Sequence, residues 1–436
     1  MQGLPAELNE RHPDPRQQPA GALVVGGALG SLAMARSLGR RGIPVRFLTS
    51  DNTIAGYSRY TARSALAPSP ERPEALPFLL DYGARHGLQG WVLFAGGDPE
   101  VRLIAENHEV LATMFRVTTP PWESTRWGHN KRLTYERAAA LGIDHPRVIS
   151  LRSRGDVLDG DFRFPVVLKP TSRELSNAFT AAKAWRADDR PALIALYDQA
   201  ASMVGQGDVV VQEYIPGDGG TQFSWAALCD RGVPVASVVA LRRRQYPVEF
   251  GTGTLVQTVT NQVVEAAGAR FVASMNYTGL VEIEFKLDTR DGSYRLLDVN
   301  PRIWNWISLG DKAGVEFSWL AWQLAMGEPF QPAKGRAGVS WLHLSRDLVG
   351  VARQISRGTL SVGGYLASFR GPKDFSIAAA DDPLPALLEV PVVLSRKLRG
   401  LSANSRRPAG HTAIRAPATP AEPSSRQALD PLRPLP

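Results

Sequence analysis

With 436 residues, 21% of them charged and 44% hydrophobic, the chain has room for two or three globular domains and is neither fibrous nor wholly disordered. Its single cysteine, Cys229, excludes an intrachain disulfide framework and a paired-cysteine metal knuckle, which points to a reducing, cytoplasmic setting. The net charge of +8 resides in residues 331–436, which hold 15 Lys and Arg against 7 Asp and Glu, so residues 1–330 are neutral and no nucleic-acid partner is expected for them.

Residues 1–20 are polar and Pro-rich, lack the apolar core of a secretory signal, and read as a disordered extension. Ala22–Val25 reads as a short strand, followed by Gly26-Gly27-Ala28-Leu29-Gly30 and a helical run through Arg41. A second strand over Val45–Leu48 ends at Asp51; a helix over Leu76–His86 and a strand over Trp91–Phe94 then lead to Gly96-Gly97-Asp98. This alternation predicts a doubly wound domain over 21–120, closed by Pro120-Pro121.

Beyond that boundary the pattern predicts a helix over Lys131–Leu141, a strand over Pro165–Lys169, a helix over Pro191–Met203 and a strand over Val209–Glu213. Phe223–Leu228 and Val233–Ala240 read as a hairpin. A helix over Asn261–Met275 precedes strands Gly279–Leu287 and Tyr294–Asp298, joined by a turn at Thr289–Gly292. Val315–Gly327 reads as a closing helix; with Glu316, Gln323 and about a dozen apolar-rich residues it is too short for a membrane span. Residues 331–400 are expected to form a helical extension, with Gly338–Arg357 as a helical hairpin, and 401–436 a disordered tail rich in Pro, Ala, Ser and Arg.

Side chains alternate faces along a strand, so Glu282 and Glu284 share one face of their strand, and Asp298 and Asn300 share one of theirs. If the turn makes the two strands antiparallel neighbours, Glu284, Asp298 and Asn300 converge. Two carboxylates and an amide oxygen suit Mg²⁺ that also binds phosphate oxygens, and Arg302 follows as a bidentate brace for a phosphoryl group. The alternative is a hairpin with an acidic solvent face.

The run Glu284 … Asp298-Val299-Asn300-Pro301-Arg302 resembles the last core strands of the ATP-grasp carboxylate–amine ligases, among them D-aspartate ligase and carbamoyl-phosphate synthase. Other matching positions are Lys131 after Asn130, Lys169 ending Val166–Lys169, and Val209–Gly217 as a hinge. The resemblance covers residues 131–302 and extends through the N-terminal domain. It implies an α/β and α+β chain: a Rossmann-like pre-ATP-grasp domain over 21–120 and an ATP-grasp domain of two α+β subdomains over 121–330.

It further implies ATP held by Lys131, Lys169, Ser172, Ser176 and the hinge Glu213, Tyr214 and Ile215, with Asp218 or Gln222 on the ribose. Mg²⁺ or Mn²⁺ would sit on Glu284, Asp298 and Asn300, and Arg302 and Arg243 would steady the transferring group. Substrate contacts would come from Ser58, Arg59, Asp98, Gly251 and Thr252. Two departures stand out. Asp298 replaces the usual Glu, and the lid Thr171–Asn177 has no glycine to cradle phosphate.

The expected activity is amide-bond formation through an acyl phosphate, on an amino acid or cell-envelope precursor, by a chain that could pair as a homodimer. The competing reading is a non-catalytic ATP-binding protein docked through its basic C-terminus on a membrane, anionic polymer or envelope complex. Dinucleotide binding at Gly26–Gly30 is disfavoured, because the spacing is not Gly-x-Gly-x-x-Gly.

Overall fold

The computed structural model describes residues 20–171, 177–182, 184–217, 219–247 and 249–405. The chain divides into a large unit, Met1–Val393, and a C-terminal unit, Leu394–Pro436. Within the large unit, β1 (Ala22–Val25), β2 (Val45–Thr49), β3 (Thr61–Leu66), β4 (Val92–Ala95) and β5 (Arg116–Val117) form an all-parallel sheet in the order β3-β2-β1-β4-β5. Every residue of β1 and β4 is buried, as parallel strands covered by helices on both faces require.

Strand order reverses between β1 and β4, so the loops Gly26-Gly27 and Gly96-Gly97 meet at the carboxyl ends of those strands. Gly26 has φ +72°, and a Cβ there would fall 2.2 Å from the carboxyl of Glu100. The glycine is therefore needed to seat that side chain, a requirement independent of any dinucleotide.

The second sheet is antiparallel: β6 (Val148–Ser150), β7 (Val166–Pro170), β8 (Trp185–Ala187) and β9 (Val209–Glu213), in the order β6-β9-β7-β8. Helix Arg190–Val204 covers it, capped by Asp189, whose carboxylate accepts from Ala192 N, and burying Leu193 and Tyr197 against Val166, Leu168 and Val211.

The third sheet contains β10 (Gln222–Asp230), β11 (Val233–Tyr246), β12 (Thr252–Val259), β13 (Gly279–Leu287), β14 (Tyr294–Asn300), β15 (Ala333–Lys334), β16 (Ser340–Leu342) and β17 (Lys373–Phe375). Its order is β14-β13-β10-β11-β12-β16-β17, with β15 on β11. Helix Gln262–Ser274 packs Phe271 and Val272 against Trp225 and Ile283 on one face of this sheet.

The region 331–400 differs from the expected helical extension: β15, β16 and β17 belong to the large sheet, and the expected hairpin over Gly338–Arg357 is β16 followed by one helix, Leu344–Ser356. Strands of two or three residues leave no period to read. The final helix runs Leu384–Ser405, so residues 401–405 are helical where a disordered tail was expected; residues 1–19 and 406–436 lie outside the described residues. No helix among the described residues is long and apolar enough to cross a membrane.

Candidate functional site

β13 and β14 are antiparallel neighbours, and their register sets Glu284 opposite Asp298 and Glu282 opposite Asn300. The intervening turn is held by Asp288, which accepts from Arg290 N at 3.1 Å and lies against the guanidinium of Arg295 at 3.1 Å. These two arginines hold its carboxyl well below the ordinary carboxylate range.

Around the Glu284–Asp298 pair the structure gathers donors from distant segments. Gln222 Nε2 on β10 donates to Glu284 Oε2 at 2.5 Å, and Arg242 Nη2 on β11 lies 3.4 Å from the same oxygen. Lys131 Nζ donates to Asp298 Oδ1 at 2.9 Å. Lys131 starts helix Lys131–Ala140, whose amino end is fixed by Asn130 Oδ1 accepting from Arg132 N and Leu133 N. Lys131, expected on a phosphate, lies on Asp298.

One step along the strands lies a second cluster. Buried Glu282 accepts from Trp306 Nε1 at 3.0 Å and from Asn300 Nδ2 at 3.4 Å. Its pKa is raised, first by burial and then by the neighbouring Glu284 carboxylate. Asn300 Oδ1 accepts from Arg302 Nη2 at 3.0 Å, and Arg302 Nε donates to Asp98 Oδ1 at 2.5 Å. Asp98 begins helix Asp98–Glu106 of the first domain, so this pair stitches the parallel sheet to the end of β14. Asp98, expected on a substrate, is thus tied to Arg302. Glu282 was not selected from sequence, although its alternation with Glu284 pointed to it.

A cleft opens between the second and third sheets. Its walls include Lys169 and Val167 of β7, Tyr214 and Ile215 after β9, Gln222, Arg242, Gly251, Glu284 and Asp298. Lys169, Tyr214, Ile215, Gly251 and the two acids were expected here; Arg242, Gln245, Phe250 and Lys286 were not selected from sequence. Lys286 Nζ caps the Tyr214 ring at 5.6 Å and donates to Gly217 O at 2.7 Å.

Glu213 faces away from this cleft and accepts from Arg290 Nη2 at 2.7 Å. Thr252 lies on β12, paired with Tyr246, and is not part of the cleft wall. Ser172, Ser176 and Asp218 lie outside the described residues.

Three of the expected residues, Arg243, Ser58 and Arg59, are not part of this cleft wall. Arg243 is exposed and donates to Gln257 Oε1 at 2.9 Å; it sits where the β11–β12 register skips between Arg242 and Arg244, and Arg242 takes the cleft side. Ser58 Oγ donates to Asp382 Oδ2 at 2.7 Å and Arg59 N to Asp382 Oδ1 at 2.9 Å, with Arg36 Nε on the same carboxylate at 2.8 Å. Those two residues fasten a later segment of the chain to the first domain.

Among the described residues no three or more His, Cys, Asp or Glu side chains are grouped to hold a metal ion. A cation at Glu284 and Asp298 would therefore need oxygens from an amide or from a ligand.

Residues 230–332 match the family model for the ATP-binding domain of the carbamoyl-phosphate synthase L chain. The chain is 25% identical over 223 residues to D-aspartate ligase of Enterococcus faecium (strain Aus0004), covering 49% of this chain and 53% of that protein. It thus spans about half the length of this curated relative. Its fold is similar to that of L-amino acid ligase from Bacillus licheniformis, at 17% identity and TM-score 0.57, over 72% of this chain and 76% of that one. It is also similar to the biotin carboxylase domain of Hydrogenobacter thermophilus 2-oxoglutarate carboxylase, at 15% identity and TM-score 0.58, over 74% of each chain. The parallel sheet and the two further sheets with a cleft between them give the chain the fold of these ligase and carboxylase structures.

Proposed function

We propose that the chain is a MgATP-dependent carboxylate–amine ligase, with an amino acid or a cell-envelope precursor as substrate. The observation that carries this reading is the Glu284–Asp298 pair across β13 and β14, on the wall of a cleft that also contains Lys169 and Arg242. The two carboxylates face one another with Arg242 on Glu284 and Lys131 on Asp298, which holds both acids at the cleft wall. Glu284 and Asp298, with the Asn300 carboxamide next along the strand, fit Mg²⁺ or Mn²⁺ whose remaining positions take phosphate oxygens and water. Bound there, the ion would neutralise phosphate charge during transfer.

The chain's own residues supply the rest. The backbone beside Tyr214 and Ile215 answers the adenine edge, and Val167, Ala184 and Leu297 offer apolar cover for the ring. Lys169 meets phosphate oxygens at the end of an apolar strand. Arg242, steered by Gln245 Oε1 at 3.2 Å, faces the charge that develops on the transferring group. Arg302, aligned by Asp98 and Asn300, backs that region. The γ-phosphoryl group passes to a carboxylate oxygen and ADP leaves; an amine nitrogen then attacks the acyl carbon, phosphate leaves, and the amine loses a proton. Positioning and charge neutralisation dominate over acid–base chemistry. D-aspartate ligase and L-amino acid ligase, similar in sequence and fold respectively, support the substrate class.

The test is ADP release from MgATP across a panel of amino acids and other carboxylates paired with amines. Release that needs both partners, and that falls about a hundredfold or more in Glu284→Gln, is the expected result. Absence of both ATP binding and turnover would overturn the reading; ATP binding without release for every pair would favour a non-catalytic nucleotide-binding protein.

A further inference from the structure

Side chains alternate along a regular strand, so Arg242 and Gln245, three residues apart on β11, would point to opposite faces. Both nevertheless line the cleft. Arg242 Nη1 donates to Gln245 Oε1 at 3.2 Å, while Arg242 Nη2 lies 3.4 Å from Glu284 Oε2. The pairing of β11 with β12 shows how this comes about. Arg242 pairs with Val256, Arg244 with Leu255 and Gln245 with Gly253. Arg243 is therefore an extra residue on one strand, and Thr254 an extra residue on the other. The two bulges offset one another, because the pairing at Gln245 has returned to the register it had at Arg242. Between them they re-aim the strand so that Arg242 and Gln245 share the cleft wall.

A bulge leaves its extra residue outside the ladder, so other contacts must fix it. Here one buried carboxylate meets both strands. Arg244 Nε and Nη2 donate to Asp347 Oδ1 and Oδ2 at 2.9 and 2.7 Å, and Thr254 Oγ1 donates to Asp347 Oδ1 at 2.6 Å. Asp347 and Thr254 are each 1% exposed, and the bidentate pair sets the plane of the Arg244 guanidinium. The helix that carries Asp347, Leu344–Ser356, is tied to the same spot, since His343 N donates to Thr254 O at 2.8 Å. Asp347 lies beyond residues 230–332, the segment that the family model matches.

We propose that Asp347 is a positioning residue for phosphoryl transfer: through Arg244 and Thr254 it fixes the offset bulges and so keeps Arg242 and Gln245 facing the cleft. The inference rests on the role proposed above for Arg242.

A double-mutant cycle on the full chain tests it. ADP release from MgATP, with an acid and amine that the parent joins, is measured for Asp347→Asn, Arg242→Ala and the two together, at a temperature where circular dichroism shows each folded. Asp347→Asn is expected to lower kcat about tenfold or more in the parent but less than about twofold beside Arg242→Ala, because a residue that acts through Arg242 has nothing left to position. Thr254→Val keeps the ion pair and removes one hydrogen bond. It is expected to lower kcat by a smaller factor that also vanishes beside Arg242→Ala, and it carries the test if Asp347→Asn does not fold. Losses by the same factor in both backgrounds would show a role in stability alone and overturn the proposal. So would an unchanged kcat in both Asp347→Asn and Thr254→Val. A parent that releases no ADP with any pair counts against the ligase reading instead. The cycle is then read in dissociation constants for MgATP by calorimetry, where the same loss of effect beside Arg242→Ala is expected and equal factors would overturn the proposal.

Discussion

Lys131 Nζ lies 2.9 Å from Asp298 Oδ1, and the two side chains are only 7% and 10% exposed. One belongs to the first residue of a helix and the other to a strand 167 residues further on, so the contact joins two segments that meet only in the folded chain. It also puts a cation on an acid that already faces Glu284. Lys131→Met would remove a cation from the buried Asp298 carboxylate and is expected to cost about 1.5–3 kcal/mol in urea unfolding. The double variant Lys131→Met, Asp298→Asn should recover a large part of that loss. A single variant as stable as the parent would mean that the pair does not hold in solution.

Arg242 and Arg243 are neighbours with opposite surroundings: one lines the cleft 3.4 Å from Glu284, the other is exposed against Gln257. Arg242→Ala is expected to lower kcat/KM for ADP release about a hundredfold or more, as loss of a donor facing developing charge does. Arg243→Ala should stay within about twofold of the parent, as for an exposed surface substitution. Equal losses from both would contradict the side-chain assignment.

Asp382 is 1% exposed and takes Arg36, Ser58 and the Arg59 amide together. Asp382→Ala leaves the Arg36 guanidinium buried without its carboxylate, at an expected cost of about 3–5 kcal/mol in thermal or urea unfolding. Ser58→Ala should be milder, about 1.5–3 kcal/mol, for one lost hydrogen bond to a charged group. Neither should alter KM for the acid or the amine. A selective rise in either KM would instead support the substrate role expected of Ser58 and Arg59.

These cases show what was legible in the sequence and why. β13 and β14 could be read because buried apolar residues alternate with the acids on each side of a turn, and that period also fixes Glu284 opposite Asp298. The face of β11 that borders the cleft could not, because alternation separates Arg242 from Arg243 without saying which side faces inward; neighbouring strands decide that, and the skipped register at Arg243 adds to it. The contacts of Ser58 and Arg59 with Asp382 could not be read, because Asp382 lies more than 320 residues away and no local pattern announces it. β3, with exposed Ala62, Arg63 and Ser64, and β12, opening on Thr252-Gly253-Thr254, lack the apolar signature by which strands are recognised.

Glu100 allows a prediction whose sign follows from burial alone. Its carboxyl sits against Gly26 and Gly97, 7% exposed, and burial raises its pKa to about 7 from the ordinary 4.5. A carboxyl with a raised folded-state pKa holds its proton in the folded chain after the unfolded chain has released it. Its contribution is therefore complete below pH 4.5 and is lost as pH rises toward about 7, beyond which the charged form must be carried in a buried site. The gap of about 2.5 pH units corresponds to about 3 kcal/mol of stability lost across that window. Glu100→Gln keeps the shape and removes the ionisation. The variant should therefore lack this part of the decline and exceed the parent by a growing margin from pH 5 to pH 8, measured as the difference in unfolding free energy in urea. A difference that stays flat over that range would show that Glu100 is hydrated, or paired with a cation, in the folded chain.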